Sequence, residues 1–104
     1  MAPSARREQI AQLLSDSPED VFLRYALALE TAKDGETAEA ISQLAALTAA
    51  EPDYVPAWFQ QGQLLAQEGQ TDEAAIVLRQ GIEAARRTGD EHALAEMTGF
   101  LDTL

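Results

Sequence analysis

The chain has 104 residues, 46% of them hydrophobic, and its 18 acidic against seven basic residues give a formal net charge of -11. That surplus repels phosphate backbones and anionic membrane surfaces, so neither nucleic acid nor a membrane is an expected partner. Cysteine is absent, which excludes disulfides, thiol nucleophiles and thiolate metal sites. Six of the seven cations are Arg and only Lys33 is Lys. An acidic, lysine-poor surface suits strong hydration at high salt or attraction to a basic partner, and it is also compatible with no special role.

An N-terminal helix is predicted over residues 4–16, with Ile10, Leu13 and Leu14 along one edge. Ser17-Pro18-Glu19-Asp20 then reads as a helix start, with Ser17 as N-cap, Pro18 in the first helical position and Asp20 reaching back as in a capping box. The helix that follows carries Phe22, Tyr25, Ala26, Leu27, Ala28 and Leu29, enough apolar surface for more than one buried face. Asp34-Gly35 ends it, because glycine accepts the left-handed conformation of a C-terminal cap. Thr37 is expected to cap a third helix to about Ala50, and Ile41, Leu44, Ala45 and Leu47 space out its buried stripe.

Glu51-Pro52-Asp53 stops that helix, and Asp53 is the expected cap of the next, which buries Trp58, Phe59, Leu64 and Leu65 and closes at Gly69. A fifth helix starts at Thr71 or Asp72 and ends near Arg86 and Arg87, cations well placed against the negative end of the helix dipole. Gly81 in its interior costs about 1 kcal/mol relative to Ala, which a close helix crossing would justify. Leu94, Met97, Leu101 and Leu104 give an apolar edge to a capping helix over residues 90–104. No segment alternates in the manner of a strand, so the fold class is all-α, with about five or six helices in one domain over residues 1–104.

Gly35, Thr37, Glu39, Ala40 and Leu44 recur 34 residues later as Gly69, Thr71, Glu73, Ala74 and Leu78. A period of that length signifies stacked helical hairpins, here spanning residues 18–51 and 53–87. The second unit, through Trp58, Gly62, Leu65, Gly69, Ala74, Leu78 and Gly81, resembles the tetratricopeptide repeat family, with Gln61 and Arg86 as departures. The first matches through Leu27, Ala28, Gly35, Ala40, Leu44 and Pro52, and departs at Arg24, Thr31 and Leu47. Ile10 and Pro18 continue the phase backward from Leu44 and Pro52, so the N-terminal helix looks like the second half of a degenerate preceding repeat. The resemblance implies a right-handed superhelical stack acting as a non-catalytic scaffold for a protein or peptide partner.

In that family the first helix of each hairpin lines a concave groove. Carried over, the groove residues are Phe22, Tyr25, Leu29, Ala32 and Lys33, then Pro56, Phe59, Gln63, Ala66 and Gln67. The positions at which some members hold a terminal carboxylate with Lys and Asn are here Tyr25, Leu29, Phe59 and Gln63, so that clamp is missing and the groove is apolar and aromatic. Phe22, Tyr25, Leu29, Lys33, Phe59 and Gln63 are the candidate peptide-binding residues. Tyr25 and Phe59 are either anchors for a peptide, packing under the terminal helices, or contacts in a homodimer.

No other constellation carries chemistry. His92 is the only histidine and has no second ligand at metal-binding spacing, while the acidic pairs Glu19-Asp20, Asp72-Glu73 and Asp90-Glu91 fall at helix starts, where the dipole stabilises negative charge. No metal, cofactor or catalytic residue is therefore expected. No stretch approaches the ~18 apolar residues that cross a bilayer, and the expected location is cytoplasmic. The rival reading is a structural or regulatory subunit that self-associates or meets a basic partner through its acidic surface.

Overall fold

A computed structural model describes residues 2–104 and contains six helices, with no strand among the described residues. These are α1 (Ala5–Asp16), α2 (Val21–Lys33), α3 (Thr37–Ala50), α4 (Val55–Gln67), α5 (Thr71–Thr88) and α6 (Glu91–Leu101). Each packs on its neighbour in the chain, so α2–α3 and α4–α5 form the two hairpins, α1 lies on α2, and α6 covers α5 and touches α4. Gly35, Gly69 and Gly89 adopt φ of 86°, 78° and 74°, the left-handed values at which a side chain would be strained, and each ends a helix within a tight turn.

The helix starts differ from the sequence expectation. Ser17 is the C-terminal cap of α1, not the N-cap of α2, and its backbone N–H donates to the Leu13 and Leu14 carbonyls. Pro18 and Glu19 form a turn closed by the Asp20 N–H on the Ser17 carbonyl at 3.0 Å, which leaves Asp20 to cap α2 through its carboxylate, 2.9 Å from the Leu23 nitrogen. Thr37 is the first residue inside α3 rather than its cap. Glu36 occupies the cap position without a side-chain bond to the helix, because its carboxylate is taken by Arg7. Asp53 likewise does not cap α4. It accepts instead from Arg87 of α5, at 2.8 and 3.0 Å, and Tyr54 stands at the cap.

Two apolar clusters hold the hairpins together. Leu44 and Leu47 of α3 close against Ala28 of α2 and Ala57 of α4. The larger cluster joins Val55, Trp58 and Leu65 of α4 to Val77, Leu78 and Ile82 of α5 and Met97 of α6. Close approach depends on glycine at two points. A Cβ on Gly62 would lie 2.7 Å from Leu78 Cγ and Cδ2, and one on Gly81 would lie 2.6 Å from both Trp58 Cβ and Met97 Sδ. The crossing expected at Gly81 is therefore present.

At the other end, α1 is fastened by charge. Arg7 is buried and reaches Glu36 and, at 3.0 Å, Glu39, with Asp34 3.6 Å away, while the Ser4 N–H donates to Asp34 at 2.9 Å. Of the apolar edge expected for this helix, Ile10 is buried, Leu14 is half-buried and Leu13 is 54% exposed, so its apolar packing rests on two side chains.

Two outcomes test this packing. Gly81→Ala should destabilise the fold by about 1–3 kcal/mol through overpacking against a backbone-anchored neighbour. Gly99→Ala, at an α6 position with no heavy atom within 4 Å of the added carbon, should stabilise by up to about 1 kcal/mol from helix propensity; urea unfolding of both variants reads the two signs. Hydrogen bonding from Arg7 is the main cause that lowers the Glu36 carboxyl below its ordinary value. A depressed carboxylate stabilises the fold above its ordinary range and ceases to do so as pH falls through the lowered value. Amide protection factors in α1, with the intrinsic pH dependence of exchange divided out, should thus fall on acidification, and Arg7→Met should lower them in the same way at neutral pH.

Candidate functional site

The face carried by α2, α4 and α6 contains a cavity of about 200 Å³ into which Tyr25 of α2, Pro56, Phe59 and Gln60 of α4, and His92 and Glu96 of α6 project. Tyr25 is held edge-on by Tyr54, with ring centroids 5.4 Å apart, and Phe59 is held edge-on by Phe100 of α6 at 5.9 Å. Such T-shaped pairs fix ring orientation through quadrupole complementarity. Both aromatics therefore present one surface to the cavity and spend another on internal packing. Burial and the neighbouring Tyr54 push the Tyr25 phenol above its ordinary pKa, so it stays a protonated donor at neutral pH.

Of the six candidate residues, only Tyr25 and Phe59 come together here. Phe22 is 67% exposed near the start of α2, away from the cavity. Leu29 and Gln63 are half-buried and do not line it. Lys33 is exposed and its Nζ lies 3.6 Å from Glu30, which Arg6 also reaches at 2.9 Å. Packing of Phe59 under the terminal helix was one of the alternatives read from the sequence, and the Phe100 contact is of that kind; the share of α6 in the cavity wall was not expected. Asp90, His92, Ala93 and Glu96 complete the wall, with His92 Nε2 3.3 Å from Glu96 Oε1. Thr88-Gly89-Asp90 shifts the repeat by a residue or two, which hid the fact that α6 occupies the place of a third first helix beside α4.

The wall is mixed in chemistry. Aromatic and aliphatic surface forms its base, and carboxylates of Asp90 and Glu96 stand at the rim, although Asp90 is already engaged by the Ala93 N–H at 3.0 Å as the cap of α6. Nothing in this arrangement resembles a nucleophile with its base, and no cluster of metal-binding side chains occurs among the described residues. No helix is long and apolar enough to cross a membrane among those residues.

Solved structures share this architecture. The solution structure of a tetratricopeptide repeat domain protein from Salinibacter ruber is 36% identical, covers 83% of this chain and 87% of its own, and superposes with a TM-score of 0.79. The chain belongs to the tetratricopeptide repeat family. A crystal structure of a tetratricopeptide repeat domain protein from the same organism agrees, at 35% identity over 82% of this chain and 94% of that one, with a TM-score of 0.77. The solution structure of a Bordetella parapertussis protein covers 96% of this chain and 87% of its own at 26% identity and a TM-score of 0.83. No protein-family model and no curated protein matches the sequence. Tetratricopeptide repeats generally mediate protein–protein interaction and are typically non-catalytic, since stacked hairpins create extended surfaces without an enclosed reaction site.

The aromatic pairs separate packing from surface. Phe59→Ala should destabilise the tetratricopeptide domain by about 3–5 kcal/mol if the ring behaves as a core side chain. Phe22→Ala should stay within about 0.5 kcal/mol of the parent, as exposed side chains do; thermal unfolding of the two variants side by side checks this.

Proposed function

We propose that the chain is one non-catalytic interaction domain that takes a peptide or partner segment in the apolar groove of α2, α4 and α6, working in the cytoplasm without metal or cofactor. The observation that carries this reading is the cavity between Tyr25 and Phe59. Two rings already ordered by neighbours offer contact area at little further entropic cost, which is what a binding anchor needs. Phe22, Leu29, Lys33 and Gln63 would then meet the parts of a partner that extend past the cavity along the same row of helices.

A second reading rests on Phe100, whose edge already covers part of Phe59. On that account α6 fills the groove from within, and the partner, a basic protein or a second copy, meets the acidic exterior. Charge contacts weaken as salt screens them, whereas apolar contacts change little.

Ala93→Arg would place a bulky cation in the cavity without removing either ring. Affinity capture with the parent chain and this variant, at low and high salt and after circular dichroism has shown both to be folded, tests the proposal. A partner retained in high salt by the parent and lost by the variant supports the groove. A partner indifferent to Ala93→Arg and released by salt moves the contact to the acidic surface.

A further inference from the structure

The cavity between Tyr25 and Phe59 differs from others on the stack in its charge. Three cavities elsewhere each hold an arginine in the wall: Arg79 and Arg87 together with Trp58, Arg24 together with Leu27, and Arg7 together with Glu39. This one holds neither Lys nor Arg. Its wall has two carboxylates, Asp90 and Glu96, and one imidazole, His92, around the two rings.

Neither carboxylate is saturated. Asp90 accepts from the Ala93 N–H through Oδ1, and Glu96 meets His92 through Oε1, so one oxygen of each has no partner among the described residues. No Lys or Arg pairs with either of them among those residues. The cavity, about 200 Å³ in volume, thus combines aromatic surface with open anionic acceptors and supplies no cation of its own beyond the His92 ring. An aromatic face attracts a cation through its quadrupole, and a carboxylate beside it accepts the cation's donors.

We propose that this cavity receives an arginine side chain from a basic partner polypeptide, an inference that rests on the groove reading above and names the chemistry of its occupant. A guanidinium lies flat on an aromatic ring and donates in its own plane, so it can use the rings of Tyr25 and Phe59 and the free oxygens of Asp90 and Glu96 together. An apolar side chain would suit the rings but would strip water from the two carboxylates and put nothing in its place, which is costly. A lysine ammonium is a compact, strongly hydrated charge that stacks less well. The net charge of -11 draws a basic partner from a distance and repels a second copy of this chain. Enclosed by the rings, the guanidinium is screened less than one on the open surface, so capture through this cavity survives added salt.

The test titrates the isotopically labelled full chain with three blocked tripeptides, acetyl-Gly-X-Gly-amide, and follows backbone amide shifts. X is arginine, its neutral isostere citrulline, or the apolar norleucine. The proposal expects shifts at Tyr25, Phe59, Gln60 and Ala93, with the arginine peptide binding roughly 2- to 30-fold more tightly than the citrulline peptide, the range for a cation on an aromatic face. Glu96→Gln, at a solvent-exposed position, should cut that advantage and leave the citrulline peptide as it was. Glu73→Gln removes an equal charge at the start of α5, outside the cavity wall, and should leave both peptides unchanged. Equal affinity for arginine and citrulline at these amides, or tighter binding of norleucine, would overturn the cation and keep the groove reading. Glu73→Gln acting as strongly as Glu96→Gln would overturn the site in favour of the general acidic field. No shift with any peptide at tens of millimolar would overturn both readings, and cavity shifts that grow with protein concentration alone would overturn the basic partner in favour of a second copy.

Discussion

The structure depends on one steric constraint: two helices can approach closely only where one of them gives up its side chain to the other. Gly62 does so for Leu78 and Gly81 does so for Trp58 and Met97, at separations no real Cβ could occupy. These contacts lock α4, α5 and α6 into a single arrangement. They also determine which residues of α4 turn inward and which remain for the outer faces. Phe59 follows Trp58 in the chain, so burying the indole against α5 directs the phenyl ring toward the α2 and α6 side, where it meets Phe100. The position of the candidate groove is thus a by-product of core packing.

The two hairpins solve the same geometry with different chemistry. In the second, Leu78, Ile82, Met97 and the indole of Trp58 form a continuous apolar mass, and Arg87 on Asp53 and Trp58 on Pro52 pin the loop that leads into it. In the first, Ala28 takes the place of Gly62 and the buried apolar set is smaller. The terminal helix α1 is held chiefly by Arg7 between Glu36 and Glu39. Exposed ion pairs are weak and salt-dependent, but a guanidinium enclosed by several carboxylates gives direction to a helix that buries little else. Stability is therefore graded along the stack, greatest around α4 and α5 and least at α1, the pattern expected where each unit touches only its neighbours.

Much of this was legible in the sequence. The 34-residue period announced the hairpins, Gly35 and Gly69 marked the end of the first helix of each, and Gly81 signalled a close crossing, because glycine in a helix interior is unfavourable unless something occupies the space it leaves. The helix starts were less legible, and for a common reason. Ser17, Glu36 and Asp53 have side chains or positions that suit a cap, yet the chain uses them in a C-terminal turn, an ion pair with Arg7 and an ion pair with Arg87. Arg7 and Arg87 lie in other helices, outside any local window, while Ser17 is claimed by the end of the preceding helix, a use that competes with its expected place at the start of the next. The groove was legible only in part. The repeat register gave Tyr25 and Phe59, but the wall from α6 depends on a helix displaced from strict phase, and the exposure of Phe22 follows from the end of a stack, where an outward face has no neighbour.

The central claim is that glycine and leucine at positions 62 and 78 are fitted to one another, and a double-mutant cycle on these two residues tests it most directly. Unfolding free energies would be measured for Gly62→Ala, Leu78→Ala and the pair. Leu78→Ala alone should cost about 2–5 kcal/mol, as a buried leucine does. Adding Gly62→Ala should be destabilising when Leu78 is present and neutral or stabilising once its branched end is gone, a coupling of about 0.5–3 kcal/mol. If Gly62→Ala costs the same in both backgrounds, the close contact does not organise the hairpin and the account of the fold is wrong.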